Sequence, residues 1–252
     1  MSTSERTPIG IAGLDEILTG GIPTGRVVLV AGGPGTGKTI LSTQFLVNGI
    51  RMYRENAVFV SLDENKQHYF AEMTKFGWDL AEFEEQRKFV FVDASPIRNV
   101  PGEVRIGKIA IGKRDFSMLS LIETMASAVK GVEARRIVID PIGALTFQYP
   151  ELFQRRNAVL DLTEALMGTG ATCMMNSELR RATGGEADLG SEVQLEEYLA
   201  HGVIVLQTRQ IGRSLVRVLL VEKMRETPVD VQPHPYKITG TGIEVYSKES
   251  IF

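Results

Sequence analysis

Cysteine is almost missing: Cys173 is the single one in 252 residues, so no internal disulfide can staple the chain. Histidine is scarce as well. His68, His201 and His234 stand far apart and at no metal-ligand spacing, which argues against a structural zinc site. No apolar run approaches the roughly 20 residues needed to span a bilayer, and the first ten residues, MSTSERTPIG, lack the apolar stretch of a signal peptide; they read as a loose polar tail. Charge of one sign is not in excess either. Lys plus Arg total 28 against 31 Asp plus Glu, a net charge of -3, which gives no chain-wide attraction for nucleic acid or membrane. No Pro- or Ser-rich linker, internal repeat or low-complexity tract divides the chain. With 43% hydrophobic and 23% charged residues, disorder is excluded. A cytoplasmic protein with one α/β domain over residues 1–252 is expected.

Short β-branched runs alternate with longer amphipathic segments. Residues 26–31 (RVVLVA), 57–62 (AVFVSL), 88–92 (KFVFV), 136–140 (RIVID) and 171–176 read as strands, and 38–53, 67–76, 117–130 and 151–167 as helices. Such alternation builds a mainly parallel twisted sheet flanked by helices. After Gly202 the rhythm changes. Residues 203–207 and 215–221 are apolar strands joined by a short RQIGR turn, and 236–239 and 243–246 flank Gly240-Thr241-Gly242; these predict antiparallel C-terminal strands and a terminal hairpin. Cys173 reads as core strand and Trp78 as a packing residue at a helix end.

Residues 32–39, GGPGTGKT, fit GxxxxGK[ST] and lie directly between the first strand and the first helix, the setting a phosphate-binding loop requires. Glycines let the backbone wrap with its N–H groups inward, and the helix N-terminus adds partial positive charge. Gly33, Pro34, Gly35, Thr36, Gly37, Lys38, Thr39 and Ile40 are thereby placed around the phosphates of a nucleotide, with Lys38 toward the β- and γ-phosphates and Thr39 toward Mg²⁺. Magnesium needs a further oxygen ligand, and Asp140 ends the RIVID strand on the edge where active sites of parallel sheets gather. Hydrolysis also needs a group that orients water. Asp63 and Glu64 end the AVFVSL strand on that edge, and Glu64 is the candidate, since adjacent carboxylates raise one another's pKa. Lys38 and Asp140 stand 102 positions apart with two strands between them, a spacing that favours an ATPase of the RecA type over a nucleotide kinase.

On these residues the chain resembles the KaiC-like family of RecA-type P-loop ATPases, and the resemblance runs nearly end to end. Gly13-Leu14-Asp15 and Gly20-Gly21-Ile22-Pro23 look like the family's opening segment, and GGPGTGKTILSTQFLVNGI like its phosphate loop and first helix. RIVIDPIGAL falls at its Walker B strand, and HGVIVLQ, VEKMRETP, HPYKIT and GIEVY at its closing strands. The resemblance implies ATP and Mg²⁺ as ligands, a hexameric ring, and a Lys-x-Arg step, here Lys223-Met224-Arg225, that reaches the γ-phosphate held by the neighbouring subunit. Residues i and i+2 of a strand share a side, so Lys223 and Arg225 are expected to project together as a basic fork. Three positions depart from the pattern: Asp63 stands where the family has Glu, Asn176 where a γ-phosphate sensor is often Gln or Thr, and His201 where Asp is common. With one domain and no phosphorylated tail, autokinase activity is not expected.

Two polar stretches are candidate contact surfaces. Residues 178–197 carry Arg180 and Arg181 against six acids, which favours a solvated or subunit-contacting loop over single-stranded DNA binding. Residues 98–114 hold five cations and a single acid but almost no aromatic side chains to stack bases, and read as a variable insertion. Two other functions stay open: a nucleotide-gated oligomerising module with little turnover, and a single-stranded-DNA-binding recombination accessory.

Overall fold

The computed structural model describes residues 5–94, 104–106, 109–111, 118–145, 149, 151–178 and 199–249. The two polar stretches therefore lie outside the described residues, apart from Glu178 and the backbone of a short hairpin, β6 (Val104–Ile106) and β7 (Ile109–Ile111).

Nine strands form one sheet in the order β13-β12-β11-β10-β3-β9-β8-β4-β5. Its parallel part comprises β3 (Val27–Gly32), β4 (Ala57–Ser61), β5 (Phe89–Asp93), β8 (Arg136–Asp140), β9 (Thr172–Glu178) and β10 (Gly202–Ile211). The antiparallel extension is β11 (Ser214–Met224), β12 (His234–Thr239) and β13 (Gly242–Val245). Because side chains alternate along a strand, each parallel strand feeds two cores. Val28, Val30, Phe59, Val138 and Met174 pack on one face with Leu41, Phe45 and Leu46 of α2 (Lys38–Asn48). Val27, Leu29, Val60, Ile137 and Met175 face α5 (Met118–Val132) and α6 (Leu152–Gly168) on the other. The same alternation puts Asp140 and Asn176 on the α2 face, two residues beyond Val138 and Met174. No helix among the described residues is long and apolar enough to cross a membrane.

Four local expectations need correction. From residue 5 onward the N-terminal segment is not loose: β1 (Arg6–Thr7) pairs with β2 (Ile22–Pro23), and Ile9 is fully buried beside α1 (Ala12–Ile17). The helix over 38–53 keeps α-helical geometry only to Asn48 and continues as a π-helical turn, Gly49–Tyr53. Between α3 (Lys66–Thr74) and β5 lies an unexpected α4 (Leu80–Glu85), started by the Asp79 carboxylate accepting the Glu82 N–H at 3.0 Å; six residues are too few to show a periodic pattern. Strands β10 and β11 run several residues past their expected ends, pairing to Ile211↔Ser214.

The π turn has a visible cause. Arg136, wholly buried at the start of β8, donates Nη1 to the Phe45 carbonyl at 2.8 Å, pairs Nε with Glu55 at 2.6 Å and stacks over Phe45 and Tyr53. A Cβ on Gly49 would stand 2.4 Å from Arg136 Cδ. The guanidinium thus ties the end of the α2 helix to the strand that ends in Asp140. Removing one partner of a buried pair costs about 3–5 kcal/mol. Arg136→Ala is expected to lose at least about 3 kcal/mol in urea unfolding, and Gly49→Ala about 1–3 kcal/mol by overpacking.

Candidate functional site

The loop between β3 and α2 is shaped by glycine where no other residue fits easily. Gly35 and Gly37 have φ of +73° and +92°, and a Cβ on Gly37 would meet Ile238 Cδ1 at 2.9 Å. Gly37 also begins α2 without a side-chain cap, and the first helical acceptor, its carbonyl, is taken by the Leu41 N–H at 2.9 Å. The N–H groups of Lys38, Thr39 and Ile40 therefore have no intrahelical acceptor and form a donor cluster at the positive end of the helix. Lys38 folds over the loop, donating Nζ to the carbonyls of Gly32 at 2.9 Å and Gly33 at 3.2 Å. Burial lowers its pKa, while Asp140 and Glu178 oppose the shift. From behind, Tyr236 of β12 donates its hydroxyl to the Thr36 carbonyl at 2.6 Å, and burial pushes that phenol up to about 12.

Beside the loop, Thr39 Oγ1 donates to Asp140 Oδ2 at 2.6 Å, joining residues 101 apart in sequence. Burial raises the Asp140 pKa against the hydrogen bonds of Thr39 and Asn176 and the charge of Lys38. Asn176 is fully buried on β9, between β3 and β8. Its Oδ1 lies 2.8 Å from the Ser42 hydroxyl, which is also 2.6 Å from the Lys38 carbonyl; a single O–H serves one of them at a time. The Asn176 Nδ2 faces the Asp140 side and helps hold its charge, yet it reaches no acceptor at full hydrogen-bond geometry.

Asp63 and Glu64 follow β4, whose last residue, Ser61, pairs with Asp140. Their turn is fixed at both ends. Ser61 Oγ donates to the Glu64 carbonyl at 2.6 Å and accepts its N–H at 2.9 Å, and Asn65 caps α3 by accepting the His68 N–H at 3.0 Å. Half-buried and close to Glu72, Asp63 and Asp140, the Glu64 carboxyl is pushed up to about 7, with burial the largest cause.

Lys223 and Arg225 are not with this group. Strand β11 is antiparallel to β10, which parallels β3. The Arg225 N–H donates to the His201 carbonyl, whose own N–H binds Val27 O at the opposite end of β3 from the loop. From Val27 to Gly32 is about 16 Å at roughly 3.3 Å per strand residue, beyond an arginine's reach. Nor do the two cations project as a plain fork. Lys223 Nζ donates to the Ala200 carbonyl at 2.8 Å, while Arg225 lies just past the strand end with its side chain exposed.

A cleft of about 380 Å³ opens beside the loop, lined on the far side by Glu72, Lys75 and Phe76 near the end of α3 and by Ile238 of β12. Sequence reasoning missed these residues. Glu72 and Lys75 read as an ordinary solvated helix face, and Tyr236 and Ile238 as the apolar alternation of a hairpin.

The profile described as "ATPase: KaiC" matches residues 7–250. A UPF0273 protein of Pyrococcus horikoshii is 37% identical over 246 residues, spanning 96% of this chain and 94% of the relative. One from Thermotoga maritima is 36% identical, spanning 97% of each. Among solved structures, a KaiC-like protein of Pyrococcus horikoshii OT3 superposes with a TM-score of 0.79 at 33% identity, covering 96% of this chain and 99% of that one. Loop, strand order and match over nearly the whole length agree, and the chain belongs to the KaiC-like ATPases of the RecA superfamily.

Proposed function

We propose that this chain binds ATP with Mg²⁺ at the loop of residues 33–40, hydrolyses it with Glu64 orienting the water, and does so in a homo-oligomeric, hexameric ring. The observation that carries this reading is the 2.6 Å contact between Thr39 Oγ1 and Asp140 Oδ2 beside a helix start whose first N–H groups have no intrahelical acceptor. The donor set suits the metal: a hydroxyl and a carboxylate are hard oxygen ligands. Thr39 and Asp140 would hold Mg²⁺, which when bound draws charge from the phosphate oxygens. The buried, unsatisfied Nδ2 of Asn176 supports a role toward the γ-phosphate.

The protein's own contribution follows from its placed groups. The N–H groups of Lys38, Thr39 and Ile40 cradle phosphate oxygens, and Lys38 exchanges the carbonyls of Gly32 and Gly33 for the β- and γ-phosphates. Glu64 positions a water in line with the γ-phosphorus and accepts its proton. The new P–O bond forms as the bond to the β–γ bridging oxygen breaks, leaving ADP and phosphate. Asp63 sits beside Glu64 and adds to the negative field that keeps its pKa high. The cleft between α3 and β12 receives the nucleoside end.

Arg225 stands about 16 Å of strand away from its own loop, and the Lys223 amine is turned onto the Ala200 carbonyl, so in this reading both serve phosphates held by another copy. Head-to-tail assembly closes into a ring when its rotation closes, as proposed here, and a cation contributed across the interface stabilises the transferring phosphoryl charge. An isolated subunit is then a poor ATPase.

The test is phosphate release combined with light scattering, with and without ATP and Mg²⁺. Turnover that needs Mg²⁺ and rises with ring formation is the expected result. A carboxylate titrating at about 7 must be ionised to accept a proton, so kcat/KM should rise with pH and level off above about 8. Single-stranded DNA at moderate salt should leave the rate unchanged. Ring formation by ATP without phosphate release would favour a nucleotide-gated module instead, and DNA stimulation a recombination accessory.

A further inference from the structure

We infer that Arg6 and Arg26 are positioning residues that aim Arg225 at the neighbouring subunit. The inference rests on the reading of Arg225 as a cation acting across the interface.

Beyond Met224 the chain turns through Arg225, Glu226 and Thr227. Glu226 has φ of +60°, a left-handed conformation that disfavours a residue with a Cβ and that persists only where neighbours hold it. Two arginines from distant parts of the chain do so. Arg6 donates Nη2 to the Glu226 carbonyl at 3.0 Å and Nη1 to Thr227 Oγ1 at 2.6 Å, with Nη1 also bound to the Gly21 carbonyl at 3.1 Å. Its planar fork suits this task, since several donors are fixed in one rigid group. Arg26, one residue before β3, binds the Glu226 carboxylate at 2.5 Å. The Arg225 N–H is itself fixed on the His201 carbonyl at 2.9 Å.

The turn is thus tied down at each residue, whereas the exposed Arg225 guanidinium makes no hydrogen bond or ion pair among the described residues. Charge explains why Arg26 matters. Glu226 adjoins Arg225 and could neutralise it, but its carboxylate is occupied by Arg26. An exposed pair of this kind adds little to stability, so its effect lies in orientation. It keeps one acid engaged and one guanidinium free. Burial and the nearby charges of Arg26, Arg225 and Lys223 hold His201 toward its neutral form. Arg26 also immediately precedes β3, the strand that ends at the phosphate loop, so each subunit's loop and its outward turn are tied to the two ends of one strand.

The experiment compares ATP hydrolysis by the full chain carrying Arg225→Ala, Arg6→Ala, Arg26→Ala or Arg26→Lys. Affinity for a fluorescent ATP analogue and oligomer mass are measured in parallel. Arg225→Ala should lower kcat at least about tenfold. Arg6→Ala and Arg26→Ala should lower it about fivefold, with analogue affinity and oligomer mass unchanged, and Arg26→Lys should retain more than half of the wild-type rate. Mixing Arg26→Ala with excess Glu64→Gln subunits, whose turn is intact, should restore the rate per Arg26→Ala subunit, which a damaged fold would not allow. Wild-type kcat in both alanine variants, or no recovery on mixing, overturns the proposal while a slow Arg225→Ala leaves the interface reading standing. A wild-type rate in Arg225→Ala overturns both.

Discussion

Replacing Lys38 with alanine should weaken ATP binding by at least about a hundredfold, because charge-assisted hydrogen bonds to phosphate contribute about 1.5–3 kcal/mol each and two are lost. The effect should be confined to nucleotide. Among the described residues Nζ donates to the Gly32 and Gly33 carbonyls, and the half-buried position lets water replace it there. Urea unfolding of Lys38→Ala should therefore stay within about 0.5 kcal/mol of wild type, as for substitutions that remove no core packing. Titration with a fluorescent ATP analogue reads the affinity directly. Wild-type binding by this variant would remove the phosphate cradle as the nucleotide site.

The second large effect falls on rate. Glu64→Gln keeps the size and shape of the side chain and removes its ability to accept a proton, so kcat should fall by about 10²–10⁴, the range for loss of a general base. Affinity for ATP should change little. The Glu64 backbone, held by Ser61, is untouched, and the loop donors belong to other residues. Loss of a carboxylate from a group of four, Asp63, Glu64, Glu72 and Asp140, relieves repulsion and should slightly tighten binding of a polyanion. The rise of kcat/KM with pH should disappear with the carboxylate. A variant that still releases phosphate at the wild-type rate would transfer the role to another group, and Asp63 is the nearest.

These two outcomes, taken with the subunit-mixing experiment, divide the site by the distance over which its parts are assembled. Lys38 works within the eight residues of its own loop. Glu64 depends on β4 lying against β8, where Ser61 pairs with Asp140. Arg225, in its proposed role, depends on a second molecule.

That division also separates what could be read from residues alone. GGPGTGKT needs no partner to declare itself: glycines at positive φ, a helix start and a lysine are consecutive, so the phosphate loop was legible in eight positions. Alternating apolar runs likewise declared the parallel strands, and strand parity explains why Asp140 and Asn176 fall on the α2 face. The acids at 63 and 64 could be placed on the right edge because they end a strand. Other features left no local trace. Arg6 and Ile9 sit in a short polar opening that looks unstructured until β1 finds β2. Tyr236 and Ile238 alternate like any hairpin, and only the packing of β12 against the loop turns them into its backing.

Strand order accounts for the remainder. Hydrophobic rhythm reports which segments are strands, since burial of alternate side chains is a property of each segment. It does not report who lies beside whom, because that is settled by closing long loops to merge two cores. Placing β10 directly against β3, some 170 residues distant, carries His201 and Arg225 to the far end of the strand that begins the cradle. The residues of the loop stand in one short stretch of sequence, whereas the separation of Arg225 from that loop exists only once the sheet has formed.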